Sequence, residues 1–348
     1  MTSFFVWVIG ILLMLQFILL TGLAGWKTVM IRNETKINAE IFRLQPQYKE
    51  YVAGSLLSHP DAPAKNRFQA ATVERLLESL VHTDTSAQYG KRITELAHLH
   101  LSDRYRTVLN KGTWAERINC LYFIEDFKMV ELREELYVHY KGLHKRDEEY
   151  RQCLRAAAVL EEGRISGALF AEPPLSFGFI KELLVRMDAK MLSDLAGHIE
   201  SRKKVPQNLL FAFITFNGEQ KNEVFFPFVE KMIHDERKEV RIKAMKSLCD
   251  YEKISNPSML AGFFKSVFWE ERMYAAKLAG ACKLDEYKKP MALLFSDPVW
   301  WVRFAAADNI YGLEGGSLLL KDIAATSSDA YARDIAKHML TRKDRVAS

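Results

Sequence analysis

Three stretches in the C-terminal half of the chain resemble one another at a spacing of 31 residues. Each contains a helix-capping residue, an arginine six positions later and an alanine three positions after that: Asp235, Arg241 and Ala244; Ser266, Arg272 and Ala275; Asp297, Arg303 and Ala306. A repeat of this length indicates a solenoid, in which each unit buries its apolar face only against its neighbours. Solenoids display extended surfaces and seldom catalyse reactions, so the repeat points to an architecture rather than to a chemistry.

The residues of the repeat predict helices. Asp or Ser at the first position can accept hydrogen bonds from the free N–H groups of a helix start, and Pro298 follows Asp297 where proline is tolerated. Each alanine lies one turn beyond an apolar position such as Val240 or Val302, on the face where a small side chain lets two helices approach. No alternating strand pattern bounded by turns is present, so the predicted class is all-α.

The pattern Asp, five residues, Arg, two residues, Ala resembles the second helix of a HEAT repeat, which also occurs in phycobilisome-lyase-type repeats. The resemblance is clearest over 221–312, with fainter copies at 114–120 and 332–340. It implies a right-handed α-solenoid of HEAT-like helix pairs. It also implies that each repeated arginine pairs with acidic or backbone groups of the neighbouring unit, rather than forming a phosphate-binding stripe. Glu271 stands where the pattern has Val, so we expect its helix to be slightly rotated.

The N-terminus carries a long apolar segment. Residues 4–25 contain no charge, and only Gln16 and Thr21 are appreciably polar. A helix of this length reaches roughly 33 Å, enough for a hydrocarbon core of about 30 Å. Trp7 and Trp26 stand near its ends, as interfacial aromatic residues do. The alternative is a cleaved signal peptide, but the segment lacks a basic n-region and its apolar run exceeds the usual length. We therefore predict one transmembrane helix.

Positive charge follows this segment and does not precede it. The basic residues after the span are Lys27, Arg32, Lys36 and Arg43. By the positive-inside rule, this arrangement predicts a single-pass cell-membrane protein with its N-terminus outside and its C-terminal domain in the cytoplasm. The predicted organisation is an anchor over 1–26, a juxtamembrane helical stalk over 27–45, a HEAT-like solenoid over 46–342 whose first helix pair covers 46–58 and 63–81, and a tail over 343–348.

Patterns that carry chemistry are sparse. The net charge of +5 is scattered, so we predict no nucleic-acid binding. The four cysteines are widely spaced without a C-x-x-C pair, no H-E-x-x-H occurs, and Glu95 with His98 forms a single E-x-x-H where di-iron helices need two. We predict no metal, no cofactor and no enzymatic activity. The alternative is a HEAT-like lyase or hydrolase with an unrecognised active site in the irregular central repeats, about 161–218.

Apolar side chains recur where a helix facing solvent should be polar. The residue after each repeated arginine points nearly opposite the buried stripe, and two tryptophans also recur 31 residues apart. The alternative is that these side chains pack between adjacent helices or against the preceding turn. Large exposed apolar patches usually mark partner sites, so we predict a scaffold or adaptor that binds a protein partner at the membrane. The sequence identifies no small-molecule ligand. The candidate partner-binding residues, on the concave surface that the resemblance implies, are Ile242, Met273, Phe304, Trp269, Trp300 and Trp301.

Overall fold

Helices are the regular secondary structure of the described chain. The computed structural model describes the backbone of residues 2–81, 83–84 and 86–347, and the side chains of all of these except 2–6, 9 and 343–347. Within these residues there is no β-strand, and the helices pack neighbour to neighbour along the chain. The all-α prediction is therefore confirmed.

Seventeen α-helices, several of them joined by short 3₁₀ turns, make up the described chain. They are α1 (Thr2–Ala53), α2 (Gln69–Val81), α3 (Ala87–Lys111), α4 (Trp114–Asp126), α5 (Arg133–Gly142), α6 (Glu148–Val159), α7 (Ser166–Leu169), α8 (Phe177–Arg186), α9 (Ala189–Ser201), α10 (Gln207–Glu219), α11 (Phe226–Lys231), α12 (Lys238–Tyr251), α13 (Trp269–Ala281), α14 (Lys288–Leu293), α15 (Trp300–Tyr311), α16 (Gly316–Thr326) and α17 (Ala330–Ala347). Contacts divide them into two compact units, Met1–Ile165 (unit 1) and Ser166–Ser348 (unit 2). Because α17 runs to Ala347, the predicted tail boundary at residue 343 falls inside a helix.

Helix α1 has an apolar exposed half and a packed half. Among the described residues it is the one helix long and apolar enough to cross a membrane, and none of the side chains in its apolar window is buried. Further along, Ile37, Leu44, Tyr48 and Tyr51 are buried and recur at helical spacing. This stripe packs against α2 and α3, so one continuous helix joins the exposed apolar segment to the body of unit 1.

The predicted stalk is not free of the body. Arg67 donates a hydrogen bond to Asn33 at 3.1 Å, and Arg75 forms a bidentate ion pair with Glu34. Packing therefore begins near residue 33 rather than 46. Helix α1 also continues through Pro46, because the loss of one backbone donor is offset by buried neighbours on both sides.

The second helix of the first predicted pair starts later than expected. Helix α2 begins at Gln69, whereas the sequence predicted a start at 63. Asn66 accepts a hydrogen bond from the Phe68 N–H at 2.7 Å, a local turn that competes with helix over these residues.

A turn that the sequence did not predict marks the ends of α10, α12 and α13. Lys221, Glu252 and Lys283 follow α10, α12 and α13, are 31 residues apart, and have φ of 47°, 55° and 55°. The Asn222 N–H, which follows Lys221, donates to the Asn217 carbonyl five residues back at 3.0 Å, as in a Schellman motif. In unit 1, Lys128 and Glu161 adopt the same left-handed conformation at φ of 48° and 57°. Glycine usually occupies this position, so the lysine and glutamate residues found here did not indicate a left-handed turn.

Small residues set the distance between the helices of unit 2. Ala244, Ala275 and Ala306 are completely buried, as predicted. At Gly218 an added Cβ would lie 2.5 Å from the Ser247 Cβ and 2.8 Å from its Cα, so only glycine fits where α10 meets α12.

Candidate partner-binding surface

The repeated arginines form an internal ladder. Nη1 of Arg241, Arg272 and Arg303 donates to the carbonyl of the capping residue six positions earlier, at 2.9, 2.7 and 2.7 Å. Arg333 makes the same bond to Ser327 at 2.8 Å, one residue out of phase with the 31-residue spacing. Each arginine thus ties its helix to the turn before it.

Two of these arginines also reach a carboxylate in the next repeat. Nε of Arg241 donates to Glu271 at 2.7 Å, and Arg272 binds both carboxylate oxygens of Asp297 at 2.6 and 3.0 Å. The predicted pairing with acidic groups of the neighbouring unit is confirmed for Arg241 and Arg272. The backbone carbonyls that the three arginines bind belong instead to their own unit. Because the guanidinium groups are engaged within the array, they are poorly placed to bind phosphate.

Glu271 compensates for a missing carboxylate at the cap. The cap of its repeat is Ser266, which cannot pair with an arginine as Asp297 does, and the Ser266 Oγ instead donates to Glu271 at 2.5 Å. Glu271 is 3% exposed and lies between this hydroxyl and Arg241. Ala275 is nevertheless as fully buried as Ala244, so α13 keeps its alanine on the buried face.

The candidate partner-binding residues lie on three helices of unit 2, α12, α13 and α15. Trp301 and Trp300 are 58% and 44% exposed. The other four, Trp269, Ile242, Met273 and Phe304, are half-buried. We call this face, together with the lysines described below, the second-helix surface. The apolar side chains of this surface are thus partly accessible to solvent, and none is fully exposed.

Aromatic rings cluster at the α15 end of this surface. Trp300 stacks on Phe304 at 5.0 Å between ring centroids and meets Trp301 edge-on at 4.8 Å. From α17, the Arg342 guanidinium lies 5.2 Å from the Phe304 centroid and the His338 ring 6.4 Å from it. Phe304 therefore packs against its neighbours, as the alternative interpretation held, whereas Trp301 offers most of its ring to solvent.

Lysines that the sequence pattern did not indicate complete the surface. The Lys243 amine lies 5.3 Å from the Phe177 ring and 5.7 Å from the Phe211 ring, and the Lys277 amine lies 5.1 Å from the Tyr274 ring. Burial lowers the pKa of Lys243, and nearby positive charges from Lys246 and Lys181 lower it further. Apolar periodicity in the sequence carries no signal for these lysines, although Lys243 directly follows Ile242.

A separate cavity of about 730 Å³ lies in unit 1, outside the 161–218 region suggested for an active site. Two of its lining side chains, Arg117 and His139, donate to Glu149, each at 2.9 Å. Burial would raise the pKa of Glu149, but these hydrogen bonds outweigh it and hold the pKa below its usual value. Arg106 pairs with Glu135 at 2.7 Å. These charges satisfy one another, which is typical of a structural cluster.

In the part of the chain that the structure describes, no group of three or more His, Cys, Asp or Glu side chains is arranged to hold a metal ion. The described cysteines, Cys120, Cys153, Cys249 and Cys282, are free thiols.

Comparison with known proteins identifies no family. No family model and no curated protein matches this chain. Among solved structures, the crystal structure of an engineered protein aligns over 79% of this chain and 79% of its own, at 14% identity and a TM-score of 0.25. A score this low supports no argument about fold or function.

Proposed function

We propose that this chain is a membrane-anchored cytoplasmic scaffold or adaptor that binds a protein partner through its second-helix surface. The observation that carries the proposal is the row of partly accessible apolar side chains on α12, α13 and α15, which ends in the exposed ring of Trp301. Apolar patches of this kind usually mark partner sites, and tryptophan and methionine are enriched at the centres of interfaces.

The architecture that fits this role is a right-handed α-solenoid of HEAT-like helix pairs, with the second-helix surface on its concave side. Its support is the 31-residue sequence repeat, together with the arginine-to-carbonyl bonds and left-handed turns that recur with it. A solenoid presents an extended surface, which suits binding better than catalysis.

The proposed location follows from α1. Its apolar half is exposed, and Lys27, Arg32, Lys36 and Arg43 follow the span, which favours a cytoplasmic body beneath the cell membrane. Anchoring would raise the concentration of the binding surface near a membrane-associated partner without any additional contact.

The test substitutes accessible residues of the second-helix surface in the full chain. The double variant Met273→Asp/Trp301→Asp places charge where a partner would desolvate it, so partner capture from solubilised membranes should be lost. Phe304 is left intact because its replacement would also remove the stacking on Trp300. The matched control is Val267→Asp/Leu293→Asp, whose side chains are 86% and 79% exposed and lie outside α12, α13 and α15.

Captured proteins are identified by mass spectrometry, and a thermal melt is recorded for each variant. Proteins captured by the parent and by the control, but not by a stable surface variant, would support the proposal. A stable surface variant that captures the same proteins as the parent would contradict it.

A further inference from the structure

We propose that the second-helix surface receives an acidic, amphipathic peptide segment of the partner. Its carboxylates pair with Lys243, Lys246 and Lys277, and its apolar side chains pack on Met273 and Trp301. This inference rests on the proposed function and adds the chemistry of the partner to it.

Unpaired positive charge is the first argument. Within the described residues, Lys243, Lys246 and Lys277 form no ion pair, although many other lysines of unit 2 do. Lys243 and Lys277 instead stack on aromatic rings, and a cation over a ring keeps most of its charge available to an anion.

The acidic groups nearby do not neutralise these lysines. Glu219 is bound by Lys181 at 2.5 Å, Glu270 by Lys238 at 3.2 Å, and Asp308 by Arg342 at 3.5 Å. Burial raises the pKa of Asp250. The positive charge of Lys246 lowers that pKa, although Lys246 and Asp250 form no ion pair. The uncompensated charge on this surface is therefore positive, which favours a negative partner.

The placement of the lysines favours a peptide over a bilayer. Lys243 is half-buried between rings contributed by α8 and α10, and Lys277 is half-buried beside its own tyrosine. Amines that are half-buried among other side chains suit a narrow peptide segment that lies along the helices. A flat lipid surface instead attracts lysines that protrude into solvent. A segment that contacts both these lysines and the apolar side chains of Met273 and Trp301 must carry acidic as well as apolar residues.

The test selects peptides without assuming their sequence. A random-peptide phage library is panned against the full chain in nanodiscs of zwitterionic lipid, and the affinities of the enriched peptides are then measured for variants. We expect acidic peptides with apolar anchors, whose affinity falls at least about tenfold in Lys243→Gln/Lys277→Gln and weakens with added salt. The control Lys190→Gln/Lys321→Gln removes the same charge from exposed positions on α9 and α16 and should leave affinity unchanged.

The other outcomes separate this inference from the proposed function. Enriched peptides that are neutral or basic, yet lose affinity in Met273→Asp/Trp301→Asp, would overturn the acidic preference and leave the protein-binding surface in place. Failure to enrich any peptide, with phosphatidylserine vesicles bound by the parent and released by Lys243→Gln/Lys277→Gln, would overturn both proposals and make the surface a lipid-binding one.

Discussion

At the residue scale, Glu271 shows how a departure from the repeat can preserve its geometry. At the equivalent positions, Val240 and Val302 are completely buried, and Glu271 is nearly so at 3% exposed. A buried carboxylate is costly unless it is paired and hydrogen-bonded, and here Arg241 and Ser266 provide both contacts. Asp297 both accepts a backbone hydrogen bond at the start of its repeat and pairs with the arginine of the preceding repeat. In the repeat before it, Ser266 makes the first contact and Glu271 the second.

We predict that Glu271→Val, which restores the apolar pattern, lowers the free energy of unfolding by about 3 kcal/mol because it leaves the Arg241 guanidinium buried without its carboxylate. The double variant Glu271→Val/Arg241→Met should recover much of this loss. Chemical unfolding of the full chain in detergent, followed by circular dichroism, measures both. The control Glu239→Val, at an exposed position of α12, should change stability by no more than about 0.5 kcal/mol. A single Glu271→Val variant as stable as the parent would show that the pair contributes nothing.

At the element scale, the spacing of the helices in unit 2 depends on small side chains at fixed positions. Ala275 and Ala306 have no exposed surface, and Gly218 faces the backbone of α12 too closely for a Cβ. Close-packed interiors of this kind accommodate added volume only by moving the helices apart.

We therefore expect Ala275→Phe and Ala306→Phe each to cost roughly 1–3 kcal/mol, or more where the helices cannot move. Thermal melts of the full chain in detergent would show a lower transition temperature for both variants. Ala325→Phe is the matched control, because Ala325 is exposed on α16. If the buried and exposed substitutions shift the melting temperature equally, the alanines do not set the helix spacing.

At the scale of the whole molecule, α1 links an apolar exposed segment to a folded body through one unbroken helix. The side chains from Trp7 to Arg32 that the structure describes are all exposed, and packing begins with Asn33. A membrane would cover the apolar part, and the close packing of residues 33–53 against α2 and α3 would hold the body of unit 1 near the lipid surface.

We predict that a phosphatase that requires an oxidising compartment is inactive when fused to the C-terminus, whereas a fluorescent protein fused there is bright. The reason is the positive charge of Lys27, Arg32 and Lys36 beside an uncharged N-terminal flank. That charge can be moved by adding lysines before residue 4 and changing the three basic residues to Gln. The phosphatase fusion should then become active and the fluorescent fusion dim. An active phosphatase fusion in the unaltered chain would contradict the proposed orientation.

The sequence by itself determined the helical class, the 31-residue repeat and the apolar N-terminal segment. These features depend on local periodicity and composition, which can be read without knowing what lies across an interface. The burial of Ala244, Ala275 and Ala306 was predictable for the same reason, since their position relative to Val240 and Val302 is fixed by helix geometry.

Only the tertiary structure decided the contacts between residues of different helices. It assigned Glu271 as the partner of Arg241, placed Lys243 between the rings of Phe177 and Phe211, and showed Phe304 packed while Trp301 is accessible. Each of these depends on side chains about 30 or more residues away or on their rotamers, about which a helical pattern carries no information. Residues on one helix face are fixed by the turn of the backbone, but their neighbours are fixed by how the helices pack.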